Sequence, residues 1–494
     1  MKSVRARIKH ILLILLGAAA LAFVIGYRPP GPDAGGKYVI HVWEPFGGHE
    51  YERTMAIIRE FERKHTNTAC DVVFMGNDVS RDQKFYMSVV GRCPPDVVFV
   101  PSDRVAEWAH RRLLSPLDDL LREEGRDPKE FREEFFEPLW RSCCYRGSTF
   151  AVALEADPAF SVIWNKRKLR EAITSGDIPA GQIDPEKAPQ TTAELDRFDD
   201  LVMKVDKDNR LVRVGATPFT SWSYDDVIYT WGWAFGGEFY NEATGKITAN
   251  DPHVVRALQW LCDAARRCDI RRVKAMSTAG GKDAFVEGTC MLGLSGAGWI
   301  TELPKIAPDM VYGRDIGVAP MPIASGQTEH SSWLSGWTLA IPAGVTDPVR
   351  RKNAMKFILW ACASDEGTTW NLRGALFIPG WKKSPYFVQA NQDPRMAVYL
   401  DILKTARHYR PVIPIGTFMN HQLDRAGSKA IEAACEAQRT GKLKGLSDEA
   451  VQAFLHDLAQ RALDEATRNA QVYLDRFLTE SPGPDAKESH ESQH

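Results

Sequence analysis

The chain has almost no net charge, no metal-type spacing of cysteine or histidine and no phosphate-binding loop. Each absence removes a class of function. Sixty-two Lys and Arg face 64 Asp and Glu, a formal charge of −2. Clustered basic residues, the footprint of nucleic-acid binding, are therefore missing, and no nucleic-acid partner is expected. The run Arg266, Arg267, Arg271, Arg272, Lys274 is the local exception and reads as a solvated helix end. Nine cysteines, an odd number, contain no Cys-x-x-Cys. Cys143 and Cys144 are adjacent, a poor geometry for a bridge, and the spacing leaves a Cys262–Cys268 pairing open. The twelve histidines are scattered without His-Glu-x-x-His, which disfavours a zinc hydrolase. Neither Gly245-Lys246 nor Gly281-Lys282 has the preceding glycine of a P-loop. Gly293-Leu-Ser-Gly-Ala297 misses the nucleophile elbow at its last position and reads as close packing. No catalytic residue, metal or cofactor is assigned. A glycosidase carboxylate pair has no spacing of its own and stays open.

Long apolar runs are equally scarce. The one candidate, Ile11 to Gly26, follows Lys2, Arg5, Arg7 and Lys9 and has the shape of a secretory signal. It falls short of the ~20 residues that span a bilayer comfortably. Residues 1–26 are thus a signal peptide or an N-terminal membrane anchor, and both readings place the folded part outside the cytoplasm. Residues 27–36, rich in Pro and Gly, form a linker. Residues 481–494, polar but for Ala486 and two prolines, form a disordered tail.

Between these ends strands and helices alternate. Tyr38–Trp43, Cys70–Met75 and Asp96–Val100 are near-continuous apolar strands. Tyr51, Met55, Ile58 and Phe61 mark an amphipathic helix after Gly47-Gly48, and Lys84–Val90 a second. Ser102 or Asp103 is placed to cap a third. Such alternation builds an open α/β sheet covered by helices. Phe150–Leu154 and Ala159–Trp164 flank Glu155 in a crossing between two lobes, and Thr191 or Thr192 followed by Glu194 starts a helix.

From Lys282 to Ser364 the order of elements is specific. Asp283-Ala-Phe-Val-Glu-Gly288 leads into the strand Cys290–Leu294, and Ser295-Gly-Ala-Gly-Trp299 makes a small-residue turn. The strands Ile316–Pro322 and Gly336–Pro342 follow, then a helix opened by Asp347 with Met355, Ile358, Leu359 and Cys362 on one face. This order resembles the family 1 extracellular solute-binding proteins of ABC importers, the group that contains maltose- and glycerol-phosphate-binding proteins. Trp164-Asn-Lys166 and Pro189–Leu195 extend the resemblance, with Thr192 where the family has tryptophan. It covers about Tyr38 to Phe387 and weakens beyond.

The resemblance implies a two-lobe α/β periplasmic-binding-protein fold. Its expected parts are lobe 1 at 37–155, lobe 2 at 156–334, a return to lobe 1 at 335–375, and C-terminal lobe-2 helices at 376–480. It also implies a sugar or oligosaccharide ligand, ABC permease subunits with a cytosolic ATPase, and a monomer. Ligands of open sheets bind beyond the carboxyl ends of strands. Trp43 and Glu44, and Asp103 with Arg104, stand at two such ends. Asp103, Glu155 and Trp299 match family positions that contact sugar, and Trp337 follows Gly336 at the expected return crossing. Trp222, Tyr224 and Trp231 complete the aromatic candidates, since sugar sites pair flat rings with hydrogen-bonding groups. Trp231 and Trp233, two apart, put at most one side chain toward ligand. Two other readings remain: a carbohydrate-active enzyme, and a polyamine binder using Asp225-Asp226 beside Trp222 and Tyr224. A ferric binder is disfavoured because no Tyr-Tyr occurs.

Overall fold

The computed structural model describes residues 16–17, 35–76, 79–208, 211–219, 223–268, 284–374 and 378–480. Expectations for the leader, most of the linker, the tail, Trp222, and Arg271, Arg272 and Lys274 lie outside the described residues.

In chain order the strands that place the site are β1 (Tyr38–Glu44), β2 (Thr68–Phe74), β3 (Val97–Pro101), β4 (Ala151–Ala153) and β5 (Asp157–Pro158). Next come β6 (Ser161–Asn165), β7 (Lys204–Val205), β8 (Leu211–Ala216), β9 (Cys290–Ser295) and β10 (Ile316–Ala319). The last three are β11 (Ser332–Ser335), β12 (Trp337–Ala340) and β13 (Ala406–His408). The first sheet runs β2-β1-β3-β12-β4. Its first three strands are parallel, because the helices Gly48–Lys64 and Val79–Val90 carry the chain back between them. Strand β12 enters antiparallel to both β3 and β4, with Leu339 opposite Phe99 and Val152. The second sheet runs β10-β6-β9-β8-β7.

Local chemistry explains the helix starts. Asp347 caps the helix Pro348–Ala363 by accepting from the Arg350 N–H at 2.9 Å, with proline at the first position. Thr191 caps Thr192–Val202 through the Glu194 N–H at 3.1 Å. Asp103 caps nothing: it sits in a 3₁₀ turn, Ser102–Arg104, that leads into the helix Val105–His110.

Three strands cross between the lobes and pair with one another, in the order β13-β11-β5. Ser335 lies opposite Asp157, and β13 runs parallel to β11. Gly336 follows at once. A Cβ there would lie 2.5 Å from the Glu155 carbonyl oxygen, so the two crossing segments touch backbone to backbone.

Ile378, Trp381 and Tyr386 are buried with the core of the first sheet, whereas the helix Pro394–Thr405 packs on the hinge strands β5 and β11 and on β10 of the second sheet, with the Tyr399 hydroxyl 3.2 Å from Ser161 of β6. That core also reaches under the hinge to Ile300 and Leu303 of the helix Ala297–Ile306. After β13 the helices Gly416–Arg439 and Asp448–Glu480 pack with Pro252–Cys268 in lobe 2. The last of these helices reaches back to lobe 1, where Phe477 meets His110 at 5.0 Å between ring centroids and lies under Arg111. None of the nine cysteines is in a disulfide, and Cys262 and Cys268 share one helix. Among the described residues no helix is long and apolar enough to cross a membrane.

Candidate functional site

A cleft of about 730 Å³ opens where the hinge strands meet the two lobes. Its lining is drawn from several distant stretches of sequence. The carboxyl end of β3 and the turn after it supply Ser102, Asp103 and Arg104; the first two crossings supply Glu155, Asp157, Trp333 and Trp337. The segment after β13 supplies Arg410, Asn420, His421 and Asp424, the start of the helix Tyr224–Ala234 supplies Asp225 and Asp226, and the helix Val79–Val90 supplies Arg81.

The floor is an ionic cluster around Arg410. Its Nη1 donates to Asp103 Oδ2 at 2.9 Å, and its Nη2 faces Asp225 Oδ2 at 3.2 Å and bonds to Asp226. The guanidinium carbon lies 5.2 Å from the ring centre of Tyr229 and 5.3 Å from that of Trp333. Both distances fall within cation–π range. Burial pulls the Arg410 pKa down, but Asp226, Asp103 and Asp225 push it up by more, so the group stays charged. Asn420 Nδ2 also donates to Asp103 at 2.9 Å. Asp103 belongs to lobe 1 and its partners to lobe 2, so this carboxylate ties the lobes together. Gly416 makes the approach feasible, since a Cβ there would stand 2.7 Å from the Asp103 carbonyl oxygen.

The walls differ. Arg81 and Arg104 share the Asp82 carboxylate, and burial, with Arg81 nearby, lowers the Arg104 pKa to about 10. Arg81 lies over the Trp337 ring at 5.4 Å, and Phe46 meets that ring edge-on at 5.2 Å. Glu155 Oε1 accepts from the Trp337 N–H at 2.9 Å, which fixes one crossing against the next. Asp157, on β5, has no hydrogen bond or ion pair to its carboxylate among the described residues. Burial alone pushes its pKa up to about 7.

Of the ten residues singled out from the sequence, Asp103, Arg104, Glu155 and Trp337 line the cleft. The others described do not. Trp43 is half-buried on the opposite strand face from Val42 and Glu44, beside Phe74 and Met87 on the outside of lobe 1. Glu44 is fully buried and accepts from the Phe46 N–H at 3.0 Å. The Gly47-Gly48 helix start is likewise not part of the lining. Tyr224 opens the helix Tyr224–Ala234, donates its N–H to Asp424 Oδ1 at 2.8 Å and packs on Gly427. Trp231 is fully buried, bonds to the Pro218 carbonyl and rests on Trp260. Trp299 is half-buried and meets Phe285 edge-on at 5.2 Å.

Trp231 lies outside the cleft for a reason local to its helix. The segment holding Trp231 and Trp233 is a helix, and nearly all of it is buried. A helix that is apolar all round shows no 3.6-residue stripe, so spacing of two was misleading there. The residues that sequence reasoning missed, Asp157, Trp333, Arg410 and Asn420, lie on hinge strands or beyond the third crossing. Only the prolines of Pro411-Val-Ile-Pro414, which end β13, hint at a turn into a site.

Two α/β lobes joined by three hinge strands, with a polar and aromatic cleft at the hinge, define a two-lobe solute-binding protein. The sequence profile of the family described as bacterial extracellular solute-binding protein matches residues 48–367, and the chain belongs to that family. Its fold is shared with the mannotriose-bound protein CpMnBP1 at a TM-score of 0.66 and 20% identity, over 87% of this chain and 100% of that one. The cyclic α-maltosyl-1,6-maltose binding protein of Arthrobacter globiformis gives 0.63 and 18%, over 88% and 100%. An ABC substrate-binding protein of Listeria monocytogenes in complex with cycloalternan gives 0.63 and 15%, over 88% and 99%. No curated protein matches the chain in sequence. Members of the family are binding proteins, and its description places them outside the cell.

Proposed function

We propose that the chain captures a sugar or oligosaccharide in the interlobe cleft and delivers it to the permease of an ABC importer, without chemical turnover. The observation that carries this reading is the lining itself. The broad ring of Trp337 stands among the carboxylates Asp103, Glu155 and Asp157, the guanidinium of Arg104 and the amide of Asn420. A saccharide has apolar C–H faces for the ring and hydroxyls for the polar groups. Each hydroxyl bonded to a charged group contributes about 1.5–3 kcal/mol, so two or three fix the orientation. The three structures compared above are described with saccharide ligands, which supports the same class.

Because the lining comes from both lobes, a bound ligand favours the closed arrangement over the open one, and hinge closure follows. Asp103, Arg104, Glu155 and Trp337 are the contacts expected from the initial set, and Asp157 and Asn420 join them. The permease subunits and their ATPase follow from the family. The leader Ile11–Gly26 is the export signal or anchor, and the chain acts as a monomer.

A thermal-shift screen over linear and cyclic oligosaccharides tests the reading. A true ligand at a hundredfold excess over its Kd adds about 2.7 kcal/mol of stability, a shift that is easily resolved. A panel in which no saccharide stabilises the protein, while an amino acid or peptide does, would remove sugar as the ligand class.

A further inference from the structure

We infer that Arg410 is a specificity-determining residue: its guanidinium fills a cation-binding slot at the floor of the cleft and so excludes cationic ligands from it. The inference deepens the saccharide reading, because a slot filled from within leaves the rest of the cleft to an uncharged ligand.

The slot has the chemistry of a cation site. Tyr229 and Trp333 present their rings to the guanidinium at 5.2 and 5.3 Å. Asp103, Asp225 and Asp226 surround it, so three carboxyl groups meet one guanidinium. Aromatic rings combined with carboxylates are how proteins hold ammonium and guanidinium ligands. Asp225-Asp226 is also the pair that made a polyamine ligand a reasonable reading of the sequence. In the folded protein that pair is already engaged by a cation belonging to the chain.

The walls of the slot are fixed without help from Arg410. Trp333 Nε1 donates to Thr230 at 3.0 Å, Thr230 donates to the Asp226 carbonyl at 2.7 Å, and Tyr229 donates to Asn420 at 3.3 Å. Asn420 in turn holds Asp103. Removing the Arg410 side chain therefore leaves two rings and three carboxylates in place around an empty, acidic space. A free guanidinium of suitable size then replaces the tethered one.

The test compares the full chain with Arg410→Ala and Arg410→Lys, titrated with agmatine and methylguanidinium and followed by tryptophan fluorescence and thermal melting. Arg410→Ala is expected to bind agmatine saturably and at least about tenfold tighter than the parent, the factor that 1.4 kcal/mol represents. Arg410→Lys keeps a cation in the slot and is expected to gain nothing. If Arg410→Ala does not fold alone, refolding that depends on agmatine supports the inference. The double change Arg410→Ala with Asp225→Asn, which removes one facing charge, serves as the second variant. A folded variant that shows no saturable response to either cation overturns the inference, as does tight agmatine binding by the parent. Saccharide affinity of the parent is measured separately. A parent that binds no saccharide while Arg410→Ala takes agmatine would defeat the sugar reading and leave this one standing.

Discussion

Asp157 gives the sharpest test of the cleft's electrostatics. Its carboxylate lies on a hinge strand, between lobes, with no cation beside it, and burial raises its pKa from 3.8 to about 7. The sign of the effect follows from proton binding. As pH rises from about 4 to about 7 the unfolded chain gives up this proton while the folded chain keeps it, so stability falls across that window. A gap of about three units at 1.36 kcal/mol each sets an upper bound of about 4 kcal/mol on the loss, since the side chain is partly exposed in the cleft wall. Asp157→Asn keeps the shape and removes the titration. Urea unfolding of parent and variant between about pH 4 and pH 8 should give curves that meet at the acid end. The variant should become the more stable toward neutral pH, by an amount of up to about 4 kcal/mol. Saccharide binding, measured on the same samples, should favour the acid side if the protonated carboxyl donates to a ligand hydroxyl. Parallel stability curves for the two proteins would show that Asp157 is ionised in the folded state and refute the argument.

The two tryptophans at the centre of the sequence reading should separate cleanly. Trp337→Ala should weaken saccharide binding by at least about 1 kcal/mol, through lost stacking and area, in a calorimetric titration. Trp299→Ala should leave affinity unchanged and lower apo stability, by less than the ~3–5 kcal/mol of a fully buried ring because it is only half-buried. Asp103→Asn should loosen the bond between lobes at Arg410, which small-angle scattering would register as a more extended apo protein; an unchanged profile would count against the tie. Gly336→Ala should destabilise the protein in denaturant titrations, because its Cβ meets the Glu155 carbonyl at 2.5 Å. Incubation with a glycoside panel should release no product, and turnover abolished by a cleft carboxylate substitution would establish an enzyme instead.

The sequence by itself determined the elements whose signals are local. The apolar run Val97–Val100 becomes a strand buried on both faces and parallel to Tyr38–Glu44, which alternates between core and outer face. Thr191 and Asp347 cap helices because their side chains reach N–H groups only three residues away. Asp103, Arg104, Glu155 and Trp337 were legible since each follows a strand end or a crossing that the order of elements already marked. Tertiary structure alone decided the rest. Trp43 and Glu44 are neighbours on one strand, yet one lies on an outer face and the other is fully buried, because successive side chains point to opposite faces and sequence does not say which face meets ligand. Arg410 and Asp103 are 307 residues apart, and nothing local links them. Their bond exists because the third crossing, at Ala406–His408, brings the C-terminal helices back against the turn after β3. The floor of the cleft is therefore a property of chain path, and three carboxylates become a filled cation slot only where that path closes.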